Sequence, residues 1–152
     1  MTRIYTTTFI PGSVETIYNY VTTPGNWPHW HPSSIAVSGA SDHSLEVGEH
    51  CVEEFLVAGR RGKVTWTVEE RVFPQRWAIE GIIEGRNYGG RVTYTLHPEG
   101  EGTLFEREFV YPTSGFMLML LDFLLVRRRV KAESEQALQR LKAIFMKQQV
   151  VS

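Results

Sequence analysis

The chain predicts an α+β architecture, a seven-stranded antiparallel sheet wrapped around one long C-terminal helix. Three observations carry this. Between about Ser34 and Pro112, apolar and polar residues alternate with period two, broken at regular intervals by turn-forming residues. From about Gly115 to Gln148 the pattern becomes helical over roughly three times the length of an average globular helix. Ahead of both stands a β-rich segment, Arg3 to Phe9, followed by a short helical stretch.

The elements follow in order. Pro11-Gly12 ends the first strand, and Ser13 is an N-cap for a helix to about Val21, in which Val14, Ile17, Tyr18 and Val21 form one apolar stripe. After Thr23-Pro24-Gly25 comes NWPHWHPSS, Asn26 to Ser34, which is at most a short second helix. Turns at Ser41-Asp42, Gly59 to Gly62, Pro74-Gln75, Asn87 to Gly90 and Pro98 to Gly102 then divide the chain. They leave strands at about 34 to 39, 49 to 57, 63 to 72, 77 to 85, 91 to 97 and 103 to 111. In the final helix Phe116, Leu120, Phe123, Val130, Ala137, Leu141 and Phe145 share a face, with Arg128, Lys131, Glu135 and Arg140 away from it. A twisted sheet must cover its apolar concave face, and only this helix is long enough to do so. The order β-α-α-β-β-β-β-β-β-α is the helix-grip arrangement.

At 152 residues the chain has the size of one domain, 1 to 152, with a self-sufficient core. A net charge of −1 and the lack of a long basic stripe argue against nucleic acid as a partner. The lone Cys51 has no disulfide or CxxC partner, and the N-terminus lacks the apolar core of a secretory signal, so a cytoplasmic location is expected. The run Phe116 to Val126 is too short to span a bilayer and is apolar nearly all round. An interfacial helix keeps one strongly polar face, which this segment, with Asp122 alone, lacks; a cavity mouth or a homodimer contact is expected there, not a membrane.

The sequence resembles the START/Bet v 1-like (SRPBCC) superfamily, and within it the polyketide cyclase/dehydrase-like branch. SVETIYNYVTTPGNWPHWHPS, VEERVFPQRWAIEG, YTLHPEGEGTLFEREFVYPTSG and LLDFLLVRRRVKAESEQALQRLKAIF carry the resemblance over nearly the whole chain. These are markers of fold and hold no tight catalytic signature. The resemblance implies a deep apolar cavity between sheet and helix that binds a hydrophobic small molecule such as a lipid, polyketide or isoprenoid.

Alternation assigns the concave face, since side chains two apart on a strand point the same way. It gives Val64, Trp66 and Val68 followed by Glu70, then Trp77 and Ile79, and finally Tyr94 with Val92 and Leu96 against Phe105, Arg107, Phe109 and Tyr111. Cys51, Glu53, Phe55 and Val57 alternate in the same way. The expected ligand-binding set is Trp30, Glu53, Phe55, Trp66, Val68, Trp77, Ile79, Tyr94, Phe105, Arg107, Phe109, Phe116, Leu120 and Phe123. Any one of these aromatics is first of all core material, and Arg107 could instead snorkel to solvent from an edge strand. If Arg107 is buried, it needs a carboxylate, a hydrogen-bond network or a ligand acid.

No GxSxG, HExxH, Walker or dinucleotide motif is present. His29 and His31, at i and i+2, diverge in helix or strand, and no third ligand is indicated, so neither a metal nor a cofactor is expected. Both histidines are expected to face solvent or cap backbone groups. The leading reading is a binding protein with Arg107 as polar anchor. The alternatives are a polyketide cyclase, aromatase or dehydratase using Arg107, Glu53 and Tyr94, and an interaction module built on the 116 to 126 surface, which predicts no ligand-sized cavity.

Overall fold

The computed structural model describes residues 2–57, 59–86, 89–112 and 116–151, without the side chains of 116–126 and 149–151. Strand β1 (Thr2–Pro11) leads into helix α1 (Val14–Val21). The Ser13 side chain caps α1 by accepting from the Thr16 N–H at 3.2 Å, and Val14, Ile17, Tyr18 and Val21 are its buried stripe. A 3-10 turn (Pro24–Asn26) and helix α2 (Trp27–Trp30) precede six further strands: β2 (Ser34–Gly39), β3 (His50–Val57), β4 (Arg60–Val72), β5 (Arg76–Ile83), β6 (Arg91–Glu99) and β7 (Gly102–Tyr111). Helix α3 (Phe116–Val151) closes the chain. All seven strands form one antiparallel sheet in the order β1-β7-β6-β5-β4-β3-β2. This is the helix-grip fold expected from the element order.

Pairing register fixes which side chains share the concave face. Arg71, Trp77, Tyr94, Arg107 and Thr6 lie in one cross-strand row, and Val68, Ile79, Val92, Phe109 and Ile4 in the next. Helix α3 lies over this face, with Val130, Ser134, Ala137, Leu138, Leu141 and Phe145 buried. The core fills the end of the grip where Trp77 stacks on Tyr94 at 5.4 Å between ring centres, and Tyr94 meets Phe105 at 5.2 Å.

Two local features depart from simple alternation. The β4–β5 register slips between Val68 and Glu70, so one extra residue turns Glu70 to the convex face, contrary to its expected concave position. There it pairs with Arg76 at 2.7 Å in water. The β2–β3 connection is also longer than a turn at Ser41-Asp42: it runs to Glu49 and buries Leu45, whose carbonyl accepts from Trp77 Nε1 at 3.1 Å.

Candidate functional site

Inside the grip is a cavity of about 260 Å³. It is slightly smaller than the roughly 300–1,000 Å³ usual for ligand pockets, enough for a compact ligand. Its walls are mostly apolar. Phe55, Val57, Val64, Trp66, Ile79, Ile83, Val92, Phe109 and Tyr111 come from the sheet, Trp27 and Trp30 from α2, and Val130 from α3. The polar wall residues are His31, Ser33, Glu53, Tyr94, Arg107 and Ser134.

Glycines help keep the space open. A Cβ at Gly81 would sit 2.6 Å from the Trp66 ring, and one at Gly62 would sit 2.6 Å from the Phe55 ring. Both rings therefore lie down on bare backbone where a side chain would have pushed them inward. Gly62, expected in a turn, lies inside β4, and Gly81 lies inside β5.

Arg107 is buried, 6% exposed, which decides against snorkelling. It donates from Nη1 to Ser134 Oγ at 3.1 Å, and its guanidinium lies 5.6 Å from the centre of the Phe109 ring. Its Nε–H has no partner, and no carboxylate among the described residues lies within ion-pair distance. Glu53 is half-buried in the cavity wall and accepts from Trp66 Nε1 at 3.0 Å. Burial holds its carboxyl above the ordinary carboxylate range, against the lowering effects of Ser34, Trp66 and, at longer reach, Arg107. Ser34 Oγ, beside the carboxyl, has no hydrogen bond of good geometry among the described residues. Burial also pushes the Tyr94 hydroxyl up to about 12, with Arg107 opposing, so it is a neutral hydrogen-bonding group.

His31 does more than was expected of it. Its Nδ1 accepts from the Ser33 N–H at 3.2 Å, a backbone cap, yet the ring also forms part of the cavity wall. Burial, then the charges of Arg107 and Arg140, hold it well below its ordinary value, so the ring is neutral with its proton on Nε2. Ser33 in turn donates to Glu133 Oε2 at 2.6 Å, tying the α2–β2 connection to α3. Of the four tryptophans, Trp27, Trp66 and Trp77 each donate from Nε1, while fully buried Trp30 has no acceptor.

The structure thus brings Trp30, Glu53, Phe55, Trp66, Ile79, Tyr94, Arg107 and Phe109 to one cavity. Val68, Trp77 and Phe105 also point inward but are packed in the core beside it, outside the cavity wall. The side chains of Phe116, Leu120 and Phe123, and with them the expected dimer contact at 116 to 126, lie outside the described residues. Trp27 fits the expectation that it packs beneath the sheet edge or lines the entrance, whereas His31, Ser33 and Ser134 were not foreseen. Ser134 lies four residues after Val130 on the same helical face, so its spacing marked it while its polarity did not.

Cys51 is a poor nucleophile, because burial, and secondarily Glu53, push its thiol up to about 12. Among the described residues no cluster of His, Cys, Asp or Glu is arranged to hold a metal, and no helix is long and apolar enough to cross a membrane.

The family model described as polyketide cyclase / dehydrase and lipid transport matches residues 1–145. The chain belongs to that family. Among solved structures, this polyketide cyclase/dehydrase and lipid transport family member is similar to TTHA0849 from Thermus thermophilus, at 16% identity and a TM-score of 0.78, with 95% of this chain and 97% of that chain covered. It is similar to CV1439 from Chromobacterium violaceum at 17% identity and a TM-score of 0.72, covering 95% and 98%. DynU16, from the dynemicin biosynthetic locus, matches at 16% identity and a TM-score of 0.66 over 93% of this chain and 46% of its own. At these identities the likeness is one of fold. Among curated proteins nothing matches.

Proposed function

We propose that this protein binds a hydrophobic small molecule bearing an acidic group, held in the cavity between the sheet and α3 with its acid on Arg107. One observation carries the reading: a buried guanidinium in an apolar wall that bonds Ser134 from Nη1 and lies beside the Tyr94 hydroxyl, with an unpartnered Nε–H and no carboxylate in contact among the described residues. An uncompensated buried charge costs several kcal/mol, and a ligand acid recovers much of it by forming charge-assisted hydrogen bonds. The family description, which includes lipid transport, supports the same reading, as does the origin of DynU16 in a biosynthetic locus. A cytoplasmic setting goes with it, supported by the single free thiol of Cys51.

The test has two parts. Native mass spectrometry of freshly purified protein, followed by solvent extraction, should release an acid-bearing amphiphile. Titration with the anionic apolar fluorophore 1-anilinonaphthalene-8-sulfonate should show at least roughly tenfold weaker binding to Arg107→Leu than to the parent. Equal affinity in a folded variant would remove Arg107 from the site.

A second reading is cyclase- or dehydratase-type chemistry, favoured by the convergence of Glu53, Tyr94 and Arg107 on one cavity and by the family description. Here Glu53, kept above the ordinary carboxylate range, would move protons while Arg107 stabilises developing negative charge on a substrate oxygen. An interaction module is not proposed, because it expects no ligand-sized cavity.

A further inference from the structure

We propose that the cavity recognises a two-ended ligand, an aromatic or fused-ring hydroxy acid, whose carboxylate is taken by Arg107 and whose hydroxyl is taken by Glu53. This rests on the ligand-binding reading above and adds the ligand's second polar group. The charge of Arg107 reaches Glu53, yet the two form no ion pair. A carboxyl and a guanidinium facing one apolar hollow would normally close on each other, since contact is worth most where water is scarce.

Each is instead tied back to its own wall. Trp66 Nε1, on the ring that lies over Gly81, holds Glu53 Oε1 at 3.0 Å, and Ser134 on α3 holds Arg107 Nη1 at 3.1 Å. These tethers hold each group to its own wall of the cavity, which is preorganisation for something that bridges them. The Glu53 carboxyl has acceptor capacity beyond its bond to Trp66, and Ser34 Oγ, close enough to lower it, is buried without a well-formed bond among the described residues. Both are acceptors for one ligand donor.

A hydroxyl fits that position better than an ammonium group. Burial disfavours the ionised Glu53 that a cation would need, whereas a hydroxyl bonds to the carboxyl in either state. A cation would also share a small cavity with Arg107. The flat faces of Trp66, Phe55, Phe109 and Tyr94 suit a planar ring system between the two ends.

Isothermal titration calorimetry with 2-naphthoic acid, 2-naphthol and the series of hydroxy-2-naphthoic acids tests this on the full chain. At least one hydroxy isomer should bind roughly ten- to a hundredfold tighter than 2-naphthoic acid, the range expected for one hydrogen bond to an ionisable partner. Its methyl ether, which cannot donate, should lose that gain on the unmodified protein, a readout that needs no variant to fold. In Glu53→Leu the hydroxy isomer should bind no tighter than 2-naphthoic acid, both measured on that variant. The inference is overturned if no isomer gains, if the ether keeps the gain, or if the gain survives in Glu53→Leu. If 2-naphthoic acid binds through Arg107 and no isomer gains, only this inference fails. If no acid of the series binds, the ligand-binding reading fails with it.

Discussion

On the convex face of the sheet Glu70 bonds Arg76 at 2.7 Å and lies 3.9 Å from Arg91, which bonds Glu80 at 3.0 Å. On the concave face Glu53 and Arg107 are held by neutral partners, Trp66 and Ser134, and not by each other. The same residue types are treated in opposite ways. Where water already solvates them, charges pair and little is at stake; where burial makes pairing valuable, they are kept unpaired. A fold shaped by stability alone would place apolar side chains at the concave positions, which supports reading Glu53 and Arg107 as a recognition pair. The comparison can be broken at both faces.

The largest effect is expected where the concave face is plain core. Trp77 is fully buried, stacks on Tyr94 and donates to the Leu45 carbonyl. Trp77→Ala should cost about 3–5 kcal/mol, seen as a fall in Tm on the order of 10 °C. Ligand affinity in the fraction that stays folded should change far less, because Trp77 lies outside the cavity wall.

Arg107→Leu should act in the other sense. Removing an uncompensated buried charge and filling its place with apolar volume is expected to raise stability by about 1–2 kcal/mol, read as a higher urea midpoint at unchanged slope. A stability gain joined to a loss of binding is what separates a functional charge from a structural one. A destabilisation of several kcal/mol would show that the guanidinium holds the fold together.

His31 adds a pH dependence. Its folded value lies below 6.5, so between the two values the unfolded chain binds the extra proton. Stability is therefore full above about pH 6.5 and is lost as pH falls below it. Glu53, raised above 4.5, has the opposite sign: its contribution is lost as pH rises through its folded value. Exposed His43, held up by Asp42 and Glu49, also opposes His31. Tm measured from pH 5 to 8 for the parent and for His31→Asn isolates the histidine's share: the parent should fall more steeply on the acid side. Parallel curves would mean the ring is already solvated.

Much of this was legible in the sequence, and what was not has definite physical causes. Turn residues such as Gly59 and Pro74 bounded the strands, and the Phe105-Arg107-Phe109 alternation put Arg107 inside. The facing of Glu70 was lost to a bulge, which inserts one residue and leaves no compositional mark. Leu45 and His31 sit in connections, where no period tells inward from outward. The hollow was not foreseen from Gly62 and Gly81, because Gly62 read as a turn residue and only pairing register shows which rings lie over the two.

The smallest effect is expected on the convex face. Glu70→Ala removes a partner from Arg76, whose side chain is 45% exposed, and leaves Arg91 its bond to Glu80. Water replaces what is lost, so the cost should be at most about 1 kcal/mol and should fade in 1 M salt, where the screening length is about 3 Å. Chemical unfolding of parent and variant in urea, at low and high salt, measures both. A cost above about 2 kcal/mol that persists in salt would mean the convex network carries structural weight. The unpaired concave charges would then no longer stand out against a neutral background, and the case for Arg107 and Glu53 as a recognition pair would rest on binding data alone.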